Sequence, residues 1–135
     1  MAAVSLLGGE LKDWRMWSGG KQLEANARSS LRILVASFNA DIVVTESPFG
    51  PTAKTGRSLR ILRTLTQAAE DEPIEHFRIT RVQAYRNRYE EARVLANRFP
   101  PISGFCPVEL KSYENEPRNL LYFEALSFAV TALDR

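Results

Sequence analysis

The chain contains one cysteine and one histidine in 135 residues, and these two shortages exclude several kinds of site. A lone Cys106 cannot form an internal disulfide, which is typical of a protein from a reducing compartment such as the cytoplasm. One cysteine and one histidine also cannot supply the ligands of a zinc site. Any metal site must therefore be built from carboxylates, which prefer hard ions such as Mg²⁺ or Mn²⁺.

Long hydrophobic runs are missing too, since no apolar stretch approaches the ~20 residues that cross a bilayer. The opening seven residues lack the basic leader of a secretory signal, so we expect a cytoplasmic protein without a membrane partner. A hydrophobic share of 44% and a charged share of 25% are ordinary for a globular protein. The length and composition predict a single domain over residues 1–135.

The excess of positive charge is small, at a net +2, but its distribution is uneven. Lys54, Arg57, Arg60 and Arg63 recur every third residue, so they follow one broad face of a predicted helix. One interpretation is a solvated outer face, because the intervening leucines and isoleucine provide a buried side. The other is a row of phosphate contacts for nucleic acid.

The hydrophobic pattern predicts an α/β order of elements. Gly8-Gly9 suits a hairpin turn, and the unalternating β-branched run that ends at Glu46 predicts a central strand covered on both faces. The expected elements are a hairpin at 2–7 and 11–17, a helix at 23–38, a strand at 41–46, a helix at about 57–70, a strand at 77–82, a helix from 89 that ends before 99, and a last helix at 120–133.

Two glutamates stand out within these elements. Glu46 ends the predicted central strand, and ligands in open α/β sheets bind beyond the carboxyl ends of strands. Glu124 is the one acid in the apolar run from Leu120 to Val130, where an ionised side chain needs a partner or a metal. The alternative for Glu46 is a strand end that faces solvent, and the alternative for Glu124 is a position on a narrow exposed stripe of the last helix. Converging carboxylates are what two-metal phosphodiester hydrolysis requires.

These segments resemble the ribonuclease H-like nucleases, specifically the RuvC-type Holliday-junction resolvases and their relatives. The resemblance covers residues 6–132 and is carried by Asp41-Ile-Val-Val-Thr-Glu46, by Phe123-Glu-Ala-Leu-Ser-Phe-Ala129, and more weakly by residues 11–15 and 98–100. It implies a mixed sheet with flanking helices. It also implies that Glu46 and Glu124 are catalytic residues that hold Mg²⁺ or Mn²⁺, with Glu116 as a peripheral metal ligand.

The chain departs from this family in three places. The first strand, which carries a metal-bridging aspartate in the family, is absent or replaced, and neither Glu10 nor Asp13 is positioned to take over. Glu124 stands where the family usually has an aspartate. Leu120 and Leu121 occupy the places of a further acid. The resemblance therefore implies an incomplete acidic site with weak metal binding.

The expected function is that of a nucleic-acid-binding, metal-dependent endonuclease related to junction resolvases, acting on branched or structured DNA. In this interpretation Lys54, Arg57, Arg60 and Arg63 contact phosphates. The alternative is a catalytically degenerate module that binds nucleic acid or serves in assembly, and a third hypothesis has no nucleic-acid role. If the first strand is missing, the hairpin either closes directly onto the strand at 41–46 or leaves unpaired backbone groups, and in the second case a homodimer is expected.

Other candidate groups carry less chemistry. His76 is expected at the surface, because neither a serine nor a cysteine stands in a recognisable nucleophile context. Cys106 beside a proline is expected to be inert. Trp14, Trp17 and Phe49 could stack on bases, but aromatic residues of strands and loops more often pack against the core.

Overall fold

A computed structural model describes residues 1–17, 20–52, 54–82, 84–108 and 117–134. It is a mixed α/β protein with small sheets, which confirms the predicted class. Its described elements, in chain order, are β1 (Ala2–Leu7), β2 (Glu10–Met16), α1 (Gly20–Ser37), β3 (Ile42–Glu46), α2 (Gly56–Asp71), β4 (Glu75–Ile79), α3 (Arg88–Arg98), a 3₁₀ helix (Pro100–Phe105) and α4 (Leu120–Leu133).

The chain divides into two compact units. We call residues 1–16 and 82–135 the hairpin unit, and residues 17–81 the βαβ unit. The prediction of one domain over 1–135 stays a prediction. Among the described helices, none combines the length and the apolar character needed to cross a lipid bilayer.

The hairpin unit begins with the antiparallel pair β1–β2, which confirms the predicted hairpin. Gly8 and Gly9 have φ values of 60° and 81°, a region that glycine enters without strain. The pair packs against α4, which also contacts α3. Residues with almost no exposed surface form its centre, and they are Ile102, Leu120, Phe123 and Leu126.

The boundaries of the later helices follow local signals in the sequence. Asn87 caps α3, since its side chain accepts a hydrogen bond of 2.9 Å from the backbone N–H of Glu90. The helix ends at Arg98, directly before Phe99 and Pro100, as expected from the restriction that a proline imposes on the preceding residue. Helix α4 occupies the predicted residues.

The βαβ unit contains the parallel pair β3–β4, joined by α2, and α1 packs against α2. Strand β4 covers 75–79 instead of the predicted 77–82. The reason is its pairing with β3, which has five residues. Ile42 pairs with Glu75 and Glu46 pairs with Ile79, so β4 is limited to the five residues that lie opposite β3. Side chains alternate between the two faces of a strand, so Val43, Thr45, His76 and Arg78 share one face.

The prediction that β3 is a central strand covered on both faces was wrong. In the described part of the chain, β3 pairs with β4 alone, and the strands form two separate two-stranded sheets instead of one mixed sheet. Ile42 is 48% exposed. A β-branched run reports strand propensity, and burial on both faces does not follow from it. The ribonuclease H-like arrangement stays a prediction.

Candidate functional site

Glu46 lies at the carboxyl end of β3 with 3% of its side chain exposed. Its Oε2 accepts a short hydrogen bond from the Thr52 hydroxyl, and its Oε1 lies 2.5 Å from Lys54 Nζ. The alternative interpretation, a strand end facing solvent, was therefore wrong. Both carboxylate oxygens have partners inside the protein, as burial of a charge requires.

The loop after β3 is folded around this carboxylate. The Thr52 hydroxyl that donates to Glu46 also accepts a hydrogen bond of 3.2 Å from the backbone N–H of Lys54. The side chain of Lys54 is mostly buried as well. Lys54 thus provides the positive charge beside Glu46, a place that the sequence interpretation gave to a metal ion.

Glu124 has a comparable environment in the hairpin unit. It lies in α4 with 12% of its side chain exposed, and its Oε2 accepts a hydrogen bond of 3.0 Å from Nη2 of Arg88, the first residue of α3. The sequence required a partner or a metal for this acid, and the structure provides an arginine. The pair joins α3 to α4.

The two glutamates belong to different units, Glu46 to the βαβ unit and Glu124 to the hairpin unit. Glu116 lies outside the described residues. Within the described ranges, no group of three or more His, Cys, Asp or Glu side chains could hold a metal ion. Because each glutamate would first have to give up an ion pair shielded from water, these carboxylates do not fit a two-metal centre as they stand.

Two of the three basic residues of α2 have structural partners. Arg57 Nε lies 3.2 Å and Arg60 Nε 2.6 Å from the carboxylate of Glu24 on α1. The hydrogen bond from Arg60 holds the pKa of Glu24 below its usual value of 4.5. Arg63 is exposed and makes no hydrogen bond or ion pair with the described residues. Of the four predicted phosphate contacts, three are therefore engaged within the protein.

Phe49 is the most prominent aromatic group at the strand ends. It is 73% exposed, and the guanidinium carbon of Arg78 lies 5.6 Å from its ring centroid. The loop is tied to β4 because the backbone N–H of Ser47 donates a 2.8 Å hydrogen bond to the Ile79 carbonyl. The expectation that Phe49 packs against the core was wrong. Trp14 does pack inside its unit, edge to face with Phe105.

His76 is a candidate site residue that the sequence interpretation missed. It was expected at the surface, yet only 3% of its side chain is exposed. Its Nε2 lies 2.8 Å from Thr45 Oγ1 and its Nδ1 lies 2.8 Å from Glu70 Oε1. The predicted strand began one residue after His76. Strand β4 starts at Glu75 and pairs with β3, so His76 shares a face with Arg78 and Thr45, and the sequence carried no signal for this pairing.

Comparisons of the chain with protein-family models, with curated proteins and with solved structures found no match. The resemblance to the ribonuclease H-like nucleases therefore stays a prediction.

Proposed function

We propose that this chain is a ribonuclease H-like module that binds branched or structured DNA and does not cleave it. The observation that carries the proposal is the exposed Phe49 ring over Arg78, at the carboxyl ends of the strands. At the same ends, Lys54 forms an ion pair with Glu46. This is the catalytically degenerate form of the function expected from the sequence.

Binding is supported by the position and chemistry of this surface. Ligands of open α/β sheets lie beyond the carboxyl ends of strands, where Phe49 and Arg78 are found. An exposed aromatic ring stacks on unpaired bases, and each stacked base contributes ~1–3 kcal/mol. The βαβ unit also carries the whole net charge, with nine Lys and Arg against seven Asp and Glu. Arg63 is the best candidate for a phosphate contact, and Arg57 and Arg60 could exchange Glu24 for phosphate.

The absence of cleavage is supported by the environment of the acids. Two-metal hydrolysis needs carboxylates that converge on both ions. Glu46 and Glu124 instead accept hydrogen bonds from Lys54 and Arg88. A Mg²⁺- or Mn²⁺-dependent endonuclease is the second candidate, favoured by the placement of Glu46 at a strand end.

The binding test compares Phe49→Ala with Ile33→Ala, which removes another exposed apolar side chain in the same unit. The probe is a four-way DNA junction, with a plain duplex beside it. Loss of one stacked base is expected to weaken junction binding by about tenfold in Phe49→Ala, and Ile33→Ala should bind like the original chain. Equal affinities of the two variants would refute Phe49 as part of the interface.

The cleavage test incubates the same junction with Mg²⁺ and with Mn²⁺. We expect no cleavage by the original chain. Cleavage that disappears in Glu46→Gln would establish the endonuclease and overturn the non-catalytic proposal. Cleavage that survives Glu46→Gln would place any nuclease site elsewhere.

A further inference from the structure

We propose that the protonation state of His76 sets how firmly Arg78 is held beneath Phe49, and that DNA binding at this surface is therefore linked to protons. The second half of this proposal rests on the proposed DNA-binding function. The first half concerns only the hydrogen-bond network of the βαβ unit, and it can be tested without DNA.

The network begins at a ring that is closed off from water and bonded on both sides. His76 Nε2 and Thr45 Oγ1 are 2.8 Å apart, and Nδ1 lies 2.8 Å from Glu70 Oε1. These contacts join β4 to β3 and to α2. A histidine with both nitrogens bonded keeps its hydrogen bonds in either charge state, provided that its partners can donate or accept as needed.

Glu70 connects the histidine to the surface. Its Oε1, the same oxygen that faces His76, lies 3.2 Å from Arg78 Nη2. The guanidinium of Arg78 in turn lies beneath the Phe49 ring. Glu70 Oε1 is therefore shared by two groups. One is the His76 ring, which can gain a charge, and the other is the Arg78 guanidinium beneath the Phe49 ring.

Few other charges complicate this arrangement. Among the described residues, the charged group in direct contact with the imidazole is Glu70 from α2, and Arg78 from β4 reaches the same Glu70 oxygen. Strand β3 presents Val43 and Thr45 on this face. The remaining acids at the end of α2, Asp71 and Glu72, pair with Arg28 and Arg32 of α1.

The two charge states place different demands on Glu70. In the neutral ring, Nδ1–H donates to Glu70, and Nε2 accepts from the Thr45 hydroxyl. A proton taken from solvent binds Nε2, which then donates to Thr45 Oγ1, and the Thr45 hydroxyl hydrogen rotates away. The single negative charge of Glu70 then serves two cations, and the imidazolium repels the guanidinium. The hold on Arg78 weakens, and Arg78 becomes more available to a phosphate.

The effect must be reciprocal. If protonation of His76 strengthens DNA binding, then bound DNA must favour the protonated ring by the same factor. We expect about fivefold tighter binding at pH 5.5 than at pH 7.5, which lies at the lower end of typical couplings between sites. The chain has one histidine, so no other imidazole contributes to this difference.

The first experiment follows the ring and guanidinium nitrogens by NMR from pH 5 to pH 8, without DNA. The single histidine makes the ring signals unambiguous. We expect the Nε signal of Arg78 to change with the same midpoint as His76, and to be independent of pH in His76→Gln. An Arg78 signal that does not follow the histidine, or a histidine that does not titrate between pH 5 and pH 8, would overturn the proposal.

The second experiment measures binding of the four-way junction across the same pH range. The expected pH dependence should be lost in His76→Gln and also in Glu70→Gln, which removes the shared charge and provides a second variant if the first does not fold. Flat binding by the original chain, together with coupled NMR signals, would overturn the link to DNA. Absence of any junction binding would refute the proposed function, while the NMR result would still decide the coupling within the unit.

Discussion

Glu46 shows what a single buried charge demands of its surroundings. A carboxylate with 3% of its side chain exposed is tolerated because Lys54 and Thr52 bond to its two oxygens. Such a pair adds little net stability compared with an apolar pair of the same size, but removal of one partner leaves the other charge buried and unmatched. Replacing one partner should therefore lower the free energy of unfolding more than replacing both partners does.

Replacement of Lys54 by Met should lower the free energy of unfolding by about 2 kcal/mol, somewhat less than the ~3–5 kcal/mol found when a fully buried pair is broken, because Lys54 retains some contact with water. Adding Glu46→Gln to this variant should restore part of the loss. The measurement is urea denaturation of the original chain, both single variants and the double variant. Additive losses would contradict a direct interaction between the two side chains.

The sequence identified the need for a partner at Glu46 and Glu124, but it did not identify the partners. An isolated acid in an apolar segment signals that some positive charge must lie nearby. Whether that charge belongs to a metal, to Lys54 eight residues away or to Arg88 36 residues away depends on how the chain folds back. His76 was missed for a related reason, since its neighbours Thr45 and Glu70 meet it only after β3 and β4 pair.

At the scale of elements, α1 and α2 are joined by ion pairs that run in the same order along both helices. Glu24 near the start of α1 pairs with Arg57 and Arg60, while Arg28 pairs with Asp71 at the end of α2. Of the predicted basic row, Arg57 and Arg60 face α1 through Glu24, whereas Lys54 precedes α2 and its side chain pairs with Glu46 instead. A periodic pattern indicates a face and does not indicate what covers it.

These pairs predict an acid sensitivity with a definite sign. Hydrogen bonds from Arg60 and Arg28 hold the pKa values of Glu24 and Asp71 below their usual 4.5 and 3.8. When the folded-state pKa of an acid is below its usual value, the ionised acid stabilises the fold at pH values above that usual pKa. This stability is lost as the pH falls through the folded-state pKa. We expect Glu24→Gln to be less stable than the original chain at pH 7, and this difference should shrink as the pH falls below 4.5.

The measurement for this prediction is urea denaturation at several pH values, with and without added salt. Added salt should reduce the difference at pH 7, because the paired groups are exposed to solvent. Glu75→Gln is the matched control, since Glu75 is exposed and forms no ion pair with the described residues. A pH-dependent difference of the same size in that variant would argue against the cross-helix pairs as its source.

Helix α4 permits a prediction about packing, with an internal control. Leu126 has no exposed surface, whereas Leu133 in the same helix is about half exposed. Leu126→Ala should lower the free energy of unfolding by ~2–5 kcal/mol, and Leu133→Ala should lower it by well under half of that. Thermal or urea denaturation of the two variants measures the difference. Similar losses in both variants would contradict the burial of Leu126 in the core of the hairpin unit.

The elements themselves were largely predictable because their signals are local. Two glycines define the hairpin turn, Asn87 caps the start of α3, and the prolines after Phe99 end that helix. The ends of β4 and the exposure of β3 were not predictable, because they depend on which strand pairs with which. Pairing between distant segments leaves little trace in the spacing of apolar residues.

At the scale of the whole molecule, the described strands form two pairs and each pair has free edges. Strand β3 hydrogen-bonds to β4 on one side, and none of the described strands pairs with its other side. Unpaired N–H and C=O groups along a strand are a template for pairing with another chain.

We therefore expect this chain to self-associate as its concentration rises, through strand edges. Ile42 on β3 is 48% exposed, and a charged residue on an edge strand opposes pairing with another chain. Ile42→Lys should shift the equilibrium towards monomer, whereas Ile33→Lys on α1, which adds the same charge at an exposed isoleucine away from any strand, should not. Sedimentation velocity over a broad concentration range measures the equilibrium. A monomer at every concentration would mean that the free edge of β3 is protected in solution, and an equal effect of both variants would attribute any association to net charge instead of strand pairing.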